Sequence, residues 1–129
     1  MRPTRRQALG GGAGALALGL PTLARAAQTV TVNIPQIRTA FEPAEVSIRA
    51  GDTVRWRNRG IVEHSVICDP AKAKDPKHVA MPAGAAPFNS GPIGEDGAFE
   101  HTFTVAGTYL YICGEHEEMG MLGQVIVAA

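Results

Sequence analysis

The sequence predicts an all-β domain in which antiparallel strands pack as a sandwich or barrel. Three observations carry that expectation. Beyond residue 27, apolar and polar residues alternate with period two, turn residues break the alternation at roughly regular intervals, and no stretch repeats its apolar residues with a helical period.

The elements follow in order. Val30, Val32 and Ile34 fall on one side of a first strand, with Thr29, Thr31 and Asn33 on the other. Val46 and Ile48 alternate with Ser47 and Arg49 before a turn at Gly51-Asp52. Val54 and Trp56 alternate with Arg55 and Arg57, and Asn58-Arg59-Gly60 turns the chain again. The segment from about Asp69 to Glu95 is rich in Pro, Gly, Ala and Lys and reads as a long surface loop with at most one helical turn. Phe99, His101, Phe103 and Val105 then alternate with polar residues. After Gly107, Tyr109, Tyr111 and Cys113 share a face, and Val125 with Val127 closes the chain. In this pattern Trp56 has core parity, His101 is a strand histidine and His78 a surface one. Tyr109, near a strand corner, is expected to turn its hydroxyl onto backbone.

Of the 129 residues, 1–26 read as an export signal and 27–129 as one domain. A basic start, MRPTRRQALG, precedes an uncharged run of small and mildly apolar residues, and Ala24-Arg25-Ala26 has the small-x-small form of a cleavage site. The run is short and broken by glycines and a proline, which argues against a membrane anchor, and Arg5-Arg6 resembles a twin-arginine signal. Arg2, Arg5, Arg6 and Arg25 lie in that segment while all twelve acids lie beyond it, so residues 27–129 carry 8 basic residues against 12 acidic, a net charge of −4. An acidic domain is a poor ligand for nucleic acid and suits a basic protein partner.

Composition and pattern exclude much chemistry. There is no glycine-rich phosphate loop, and no serine stands in a nucleophile-elbow context. His64-Ser65 is the only His-Ser pair, and neighbours along a strand point to opposite faces, so enzyme chemistry is unsupported. The stretch YICGEHEEMGMLGQVIV, residues 111–127, is different: it gathers a thiol, an imidazole and two thioethers. Cys113, His116 and Met121 are spaced C-x2-H-x4-M, and Met119 offers a shorter alternative. Two His, one Cys and a long axial Met make an electron-transfer copper site, and His64 is the candidate second imidazole. The rival reading is a disulfide between Cys68 and Cys113, the default for two cysteines in an exported protein.

With these residues in view, the chain resembles the cupredoxins, the small blue copper proteins, and most closely their plastocyanin, pseudoazurin and amicyanin branch. The resemblance rests on FEPAEVSIRAGDTVRWRN (41–58), HSV at His64, FNSGPIG (88–94), AGTYLYIC (106–113) and MLGQVIV. It implies a Greek-key sandwich of about seven to eight strands with one mononuclear copper at a pole. By position, His64, Cys113 and His116 correspond to the strong ligands and Met121 to the axial one, because MLGQV reproduces the pattern after the axial Met. The Ser65 amide is expected to face the Cys113 sulfur. The implied function is a periplasmic, monomeric one-electron carrier serving redox proteins, and not an enzyme. A periplasmic copper chaperone or buffer is the alternative. The chain departs from the family at Glu115, Glu117 and Glu118, which flank His116. Three carboxylates at an exposed copper edge would lower the reduction potential and favour a basic partner.

Overall fold

Residues that alternate in sequence become two facing sheets in the computed structural model, which describes residues 25–129. The expected export signal lies, apart from Arg25 and Ala26, outside the described residues. The strands are β1 (Thr29–Ile34), β2 (Glu45–Arg49), β3 (Thr53–Asn58), β4 (Ile67–Cys68), β5 (Phe88–Asn89), β6 (Ala98–Thr102), β7 (Gly107–Ile112) and β8 (Leu122–Ala128). One sheet has the order β1-β3-β6 and the other β2-β8-β7-β4-β5. Both are amphipathic as period two requires: β2 alternates Glu45, Ser47 and Arg49 outward with Val46 and Ile48 inward, and β8 buries Gly123, Val125 and Val127. The all-β sandwich predicted from sequence is what the structure shows.

Two expectations need correction. Not every pairing is antiparallel: β1 runs parallel to β3, and β2 parallel to β8. Side-chain alternation reports which face a residue takes and is blind to strand direction. Because β2 belongs to the opposite sheet, β3 re-enters the first sheet beside β1 after two reversals. The loop expected over 69–95 is also more ordered than its composition suggests. It contains β5 and two short 3-10 turns, Pro70–Lys72 and Pro76–His78. Each begins at an Asp-Pro pair. Asp69 and Asp75 accept hydrogen bonds from the Ala71 and Lys77 amides, and each proline takes the first position, where its missing N–H costs nothing. Ala80 then pairs with Leu110 of β7, fixing this segment against the second sheet.

Trp56 fills the space between the sheets, fully buried and edge-on to Tyr111 at 5.3 Å, with Phe99 at 5.8 Å and Phe88 at 6.2 Å. Tyr109 donates its hydroxyl to the Val105 carbonyl at 2.7 Å, the corner contact expected of it. His101 stacks on Phe88 at 4.0 Å, and its desolvation lowers its pKa. Gly123 stands opposite Tyr111 in the β7–β8 ladder for a steric reason. A Cβ there would come within 2.1 Å of the tyrosine ring, so only glycine lets the ring lie across the strand. These packed residues close the middle of the sandwich and leave the loops after β3 and β7 to meet at one end.

Candidate metal centre

Three chain segments converge there. His64 lies between β3 and β4, Cys113 directly follows β7, and His116 and Met121 belong to the loop that leads into β8. The ring nitrogens of His64 and His116 and the sulfur of Cys113 all lie within 4.8 Å of one another. Both imidazoles turn Nδ1 toward the sulfur, His64 at 3.7 Å and His116 at 3.5 Å. His64 and Cys113 are buried, whereas His116 is half-buried and reaches the surface. Met121 is fully buried beside them and Met119 is 68% exposed, so the two thioethers that sequence alone left in competition occupy opposite environments.

His64 is held by an asparagine that sequence reasoning treated only as a turn residue. Asn58, at the end of β3, is fully buried. Its Nδ2 donates to the Val62 carbonyl at 2.7 Å and the Ile93 carbonyl at 3.0 Å, and its Oδ1 accepts from Gly60 N at 3.0 Å. Ile93 in turn exchanges both backbone hydrogen bonds with His64, at 3.1 and 2.7 Å. The turn that carries the histidine is therefore clamped at both ends.

The loop ligands are held differently. Cys113 and Met121 are joined by a backbone bond of 3.1 Å, and the amides of Met119 and Met121 both donate to the His116 carbonyl. Gly120, at φ 82°, takes the left-handed conformation that turns the chain back after the short 3-10 turn Glu117–Met119. The Ser65 hydroxyl bridges the two halves of the site, accepting from Gly114 N at 2.9 Å and donating to Glu115 at 2.7 Å.

The expectation of three carboxylates at the exposed edge is wrong for one and altered for the others. Glu117 is buried and turned away from solvent, accepting from the Lys74 and Asp75 amides at 2.8 and 2.9 Å and lying 2.9 Å from His78 Nδ1. His78 is accordingly half-buried against Glu117 and is not the plain surface residue expected. Glu115 folds back onto Ser65 and the Cys113 thiol, 3.4 Å away, and Glu118 pairs with Lys74 at 3.2 Å. Spacing could not reveal this, because Glu117's partners lie about forty positions earlier in the chain.

Electrostatics suit a bound cation. Burial lowers the His64 pKa, and the neighbouring His116 lowers it further against the opposing pull of Glu115. A neutral imidazole is the form that ligates metal. Burial pushes the Cys113 thiol up, while backbone N–H groups of Ser65, Glu115 and His116 oppose the rise. The Ser65 contribution is the one expected from sequence. Burial works to raise the Glu117 carboxyl, but the amides of Lys74 and Asp75 and the His78 ring outweigh it and leave it below its ordinary value. The disulfide alternative does not occur: both cysteines are free. Cys68 is fully buried, points its sulfur at the Ala80 and Leu110 carbonyls, and is pushed up to about 12 by burial with help from Asp69, which makes it an inert thiol.

Two imidazole nitrogens and one thiol, preformed and shielded, are the donor set of a type 1 copper site. Comparison with known proteins agrees. The model for copper-binding proteins of the plastocyanin/azurin family matches residues 28–128. The chain is 35% identical over 94 residues to the chloroplastic plastocyanin of Tetradesmus obliquus, covering 67% of this chain and 57% of that protein. It is 31% identical over 103 residues to the plastocyanin of Scenedesmus fuscus, covering 77% and 97%. Its fold superposes on a methionine-to-glutamine variant of amicyanin in the Cu(I) state with a TM-score of 0.60, at 31% identity over 77% of this chain and 81% of the other.

Proposed function

The chain belongs to the plastocyanin/azurin family of copper-binding cupredoxins, and from that premise we propose that it is a one-electron carrier whose copper would be held by His64, Cys113, His116 and Met121. The convergence of one ring nitrogen each from His64 and His116 with the Cys113 sulfur, all within 4.8 Å of one another, is the observation that carries this reading. The choice of Met121 over Met119 as the thioether ligand is supported by the burial of the first and the exposure of the second. Copper bound there would supply one electron at a time by alternating between Cu(II) and Cu(I).

The protein's part is to keep the donors still. Asn58 fixes the His64 turn, the Cys113–Met121 backbone bond pins the base of the loop, and Ser65 ties the two together. Donors held by such contacts move little when the charge between them changes, which suits rapid electron exchange. Cys113 gives up its proton to serve as thiolate, and the nearby amides soften that cost. His116, the ligand that reaches the surface, is the exit for the electron.

Around that exit lies an apolar rim. Ile37 is 87% exposed and Ile61 74%, and Ile37 and Val62 line the same cleft as His64 and His116. Exposed apolar residues beside an electron exit support brief contact with a redox protein, with Arg38 as the charged residue lining the same cleft. The expected basic partner keeps the net charge of −4 and the exposed Glu115 in its support, without Glu117, which is buried, and with Glu118 paired to Lys74. The basic start and cleavage pattern within residues 1–26 support export to the periplasm, leaving 27–129 as the working domain. The donors lie inside a preformed cage, which favours a carrier over a copper-delivering chaperone that must exchange ligands. Voltammetry of the copper-loaded protein is expected to give a reversible one-electron wave. An irreversible wave, or ready transfer of the metal to a weak chelator, would favour copper handling instead.

A further inference from the structure

Glu117 has no role in the copper reading so far, yet among the described residues only it and Asp52 are buried carboxylates. It is 3% exposed and receives two backbone amides, Lys74 N on Oε1 and Asp75 N on Oε2, with His78 Nδ1 also against Oε2. All three partners come from the 3-10 segment between β4 and β5. That segment is itself fastened to β7 by the Ala80–Leu110 pairing, three residues before Cys113. Glu117 directly follows His116, and its own carbonyl accepts from Gly120 N at 3.0 Å. One carboxylate therefore connects the turn bearing His116 and Met121 to the element that also braces the strand leading to Cys113.

We propose that Glu117 is the positioning residue of the ligand loop: its carboxylate clasps the Lys74-Asp75 amides and His78, and thereby sets where His116 stands relative to the Cys113 sulfur. The inference rests on the copper reading of the site. Two features separate the clasp from ordinary packing. First, a carboxylate is needed. A glutamine must place its NH2 group against either the Lys74 or the Asp75 N–H, leaving a buried donor facing a donor whichever way it turns. Second, the clasp acts on the loop from outside the donor set, as partners behind metal ligands do when they fix ligand orientation.

The test compares Glu117→Gln with Glu118→Gln, which removes the same charge from an exposed neighbour whose ion pair is with Lys74. In copper-free protein, hydrogen exchange at the Lys74, Asp75, Met119 and Gly120 amides is expected to accelerate in Glu117→Gln only. In copper-loaded protein, Glu117→Gln is expected to bind copper about 10–100-fold more weakly than wild type in competition with a chelator, the range found when such supporting groups are removed. Its thiolate-to-copper band and EPR hyperfine splitting should shift as well. Equal behaviour of the two variants in exchange and spectra would overturn the proposal. Should Glu117→Gln not fold, His78→Ala removes one of the three donors and is expected to move the same readings in the same direction; no movement would again overturn it. A wild type without the copper band would sink the copper reading alone, while exchange in the copper-free protein still decides the clasp.

Discussion

Replacing Asn58 with alanine should unfold this protein far more readily than a substitution at a turn residue suggests. The side chain is fully buried and makes three hydrogen bonds, to Val62 O, Ile93 O and Gly60 N. Their losses are unequal. The Ile93 carbonyl keeps the His64 amide, and the Val62 carbonyl belongs to a half-exposed residue that can turn to water. Gly60 N–H is buried with Asn58 as its acceptor, so it is the group left orphaned. One orphaned buried donor costs about 1–3 kcal/mol, and the space left by the side chain adds to it, for a total of about 2–4 kcal/mol. Against a typical stability of about 5–15 kcal/mol that is a large fraction. Urea unfolding followed by the fluorescence of the single, fully buried Trp56 reads the change as a lower midpoint at an unchanged slope. Asn58→Asp should cost more still, since it turns a carboxylate oxygen toward two carbonyls. A loss below about 1 kcal/mol in Asn58→Ala would refute the reasoning, because it would fall short of even one unmatched buried group.

Two further outcomes follow from the packing and the charges. Gly123→Ala drives a Cβ into the Tyr111 ring and should destabilise by about 1–3 kcal/mol, with an altered near-ultraviolet circular dichroism signal from the displaced tyrosine; unchanged stability would mean the ring is free to move. Asp52 is held down to about 2 by the Arg25 guanidinium first, and then by the Arg49 and Gln28 amides. Its folded value is below the ordinary 3.8, so its stabilising effect is complete above that pH and is lost as pH falls through about 2. Arg25 falls within the expected export signal, so this acid loss should lie at higher pH in residues 27–129 than in the full chain, and superimposable stability curves of the two between pH 2 and 4 would contradict the assignment.

The strands with strong alternation were legible because each turns one face to the other sheet. Val46, Ile48, Val54 and Trp56 are all buried as their parity requires. The two-residue strands β4 and β5 were not legible, since two residues carry no period. Strand direction was equally hidden, because a parallel and an antiparallel neighbour bury the same alternate residues. At the site, the soft and borderline ligand types within one loop made Cys113, His116 and Met121 visible, and the need of such a donor set for a second imidazole pointed to His64. The groups that hold these residues in place were invisible for a common reason. The Asn58 amide, the Ser65 hydroxyl and the Glu117 carboxylate act through partners 35 to 50 positions away or through backbone atoms that have no signature in sequence; only the Ser65 backbone amide was anticipated, from the family resemblance. Glu117 shows the consequence: as a letter it read as surface charge beside a ligand, and only the fold reveals that it faces inward.

The central claim is that His64, Cys113 and His116 bind one copper through the cysteine sulfur. Titrating residues 27–129 with Cu(II) while recording visible absorption and EPR tests it most directly. One equivalent of copper should produce an intense blue thiolate-to-copper band with narrow copper hyperfine splitting, and Cys113→Ser should abolish both. A colourless complex with ordinary wide splitting, or a band that survives Cys113→Ser, would contradict the account.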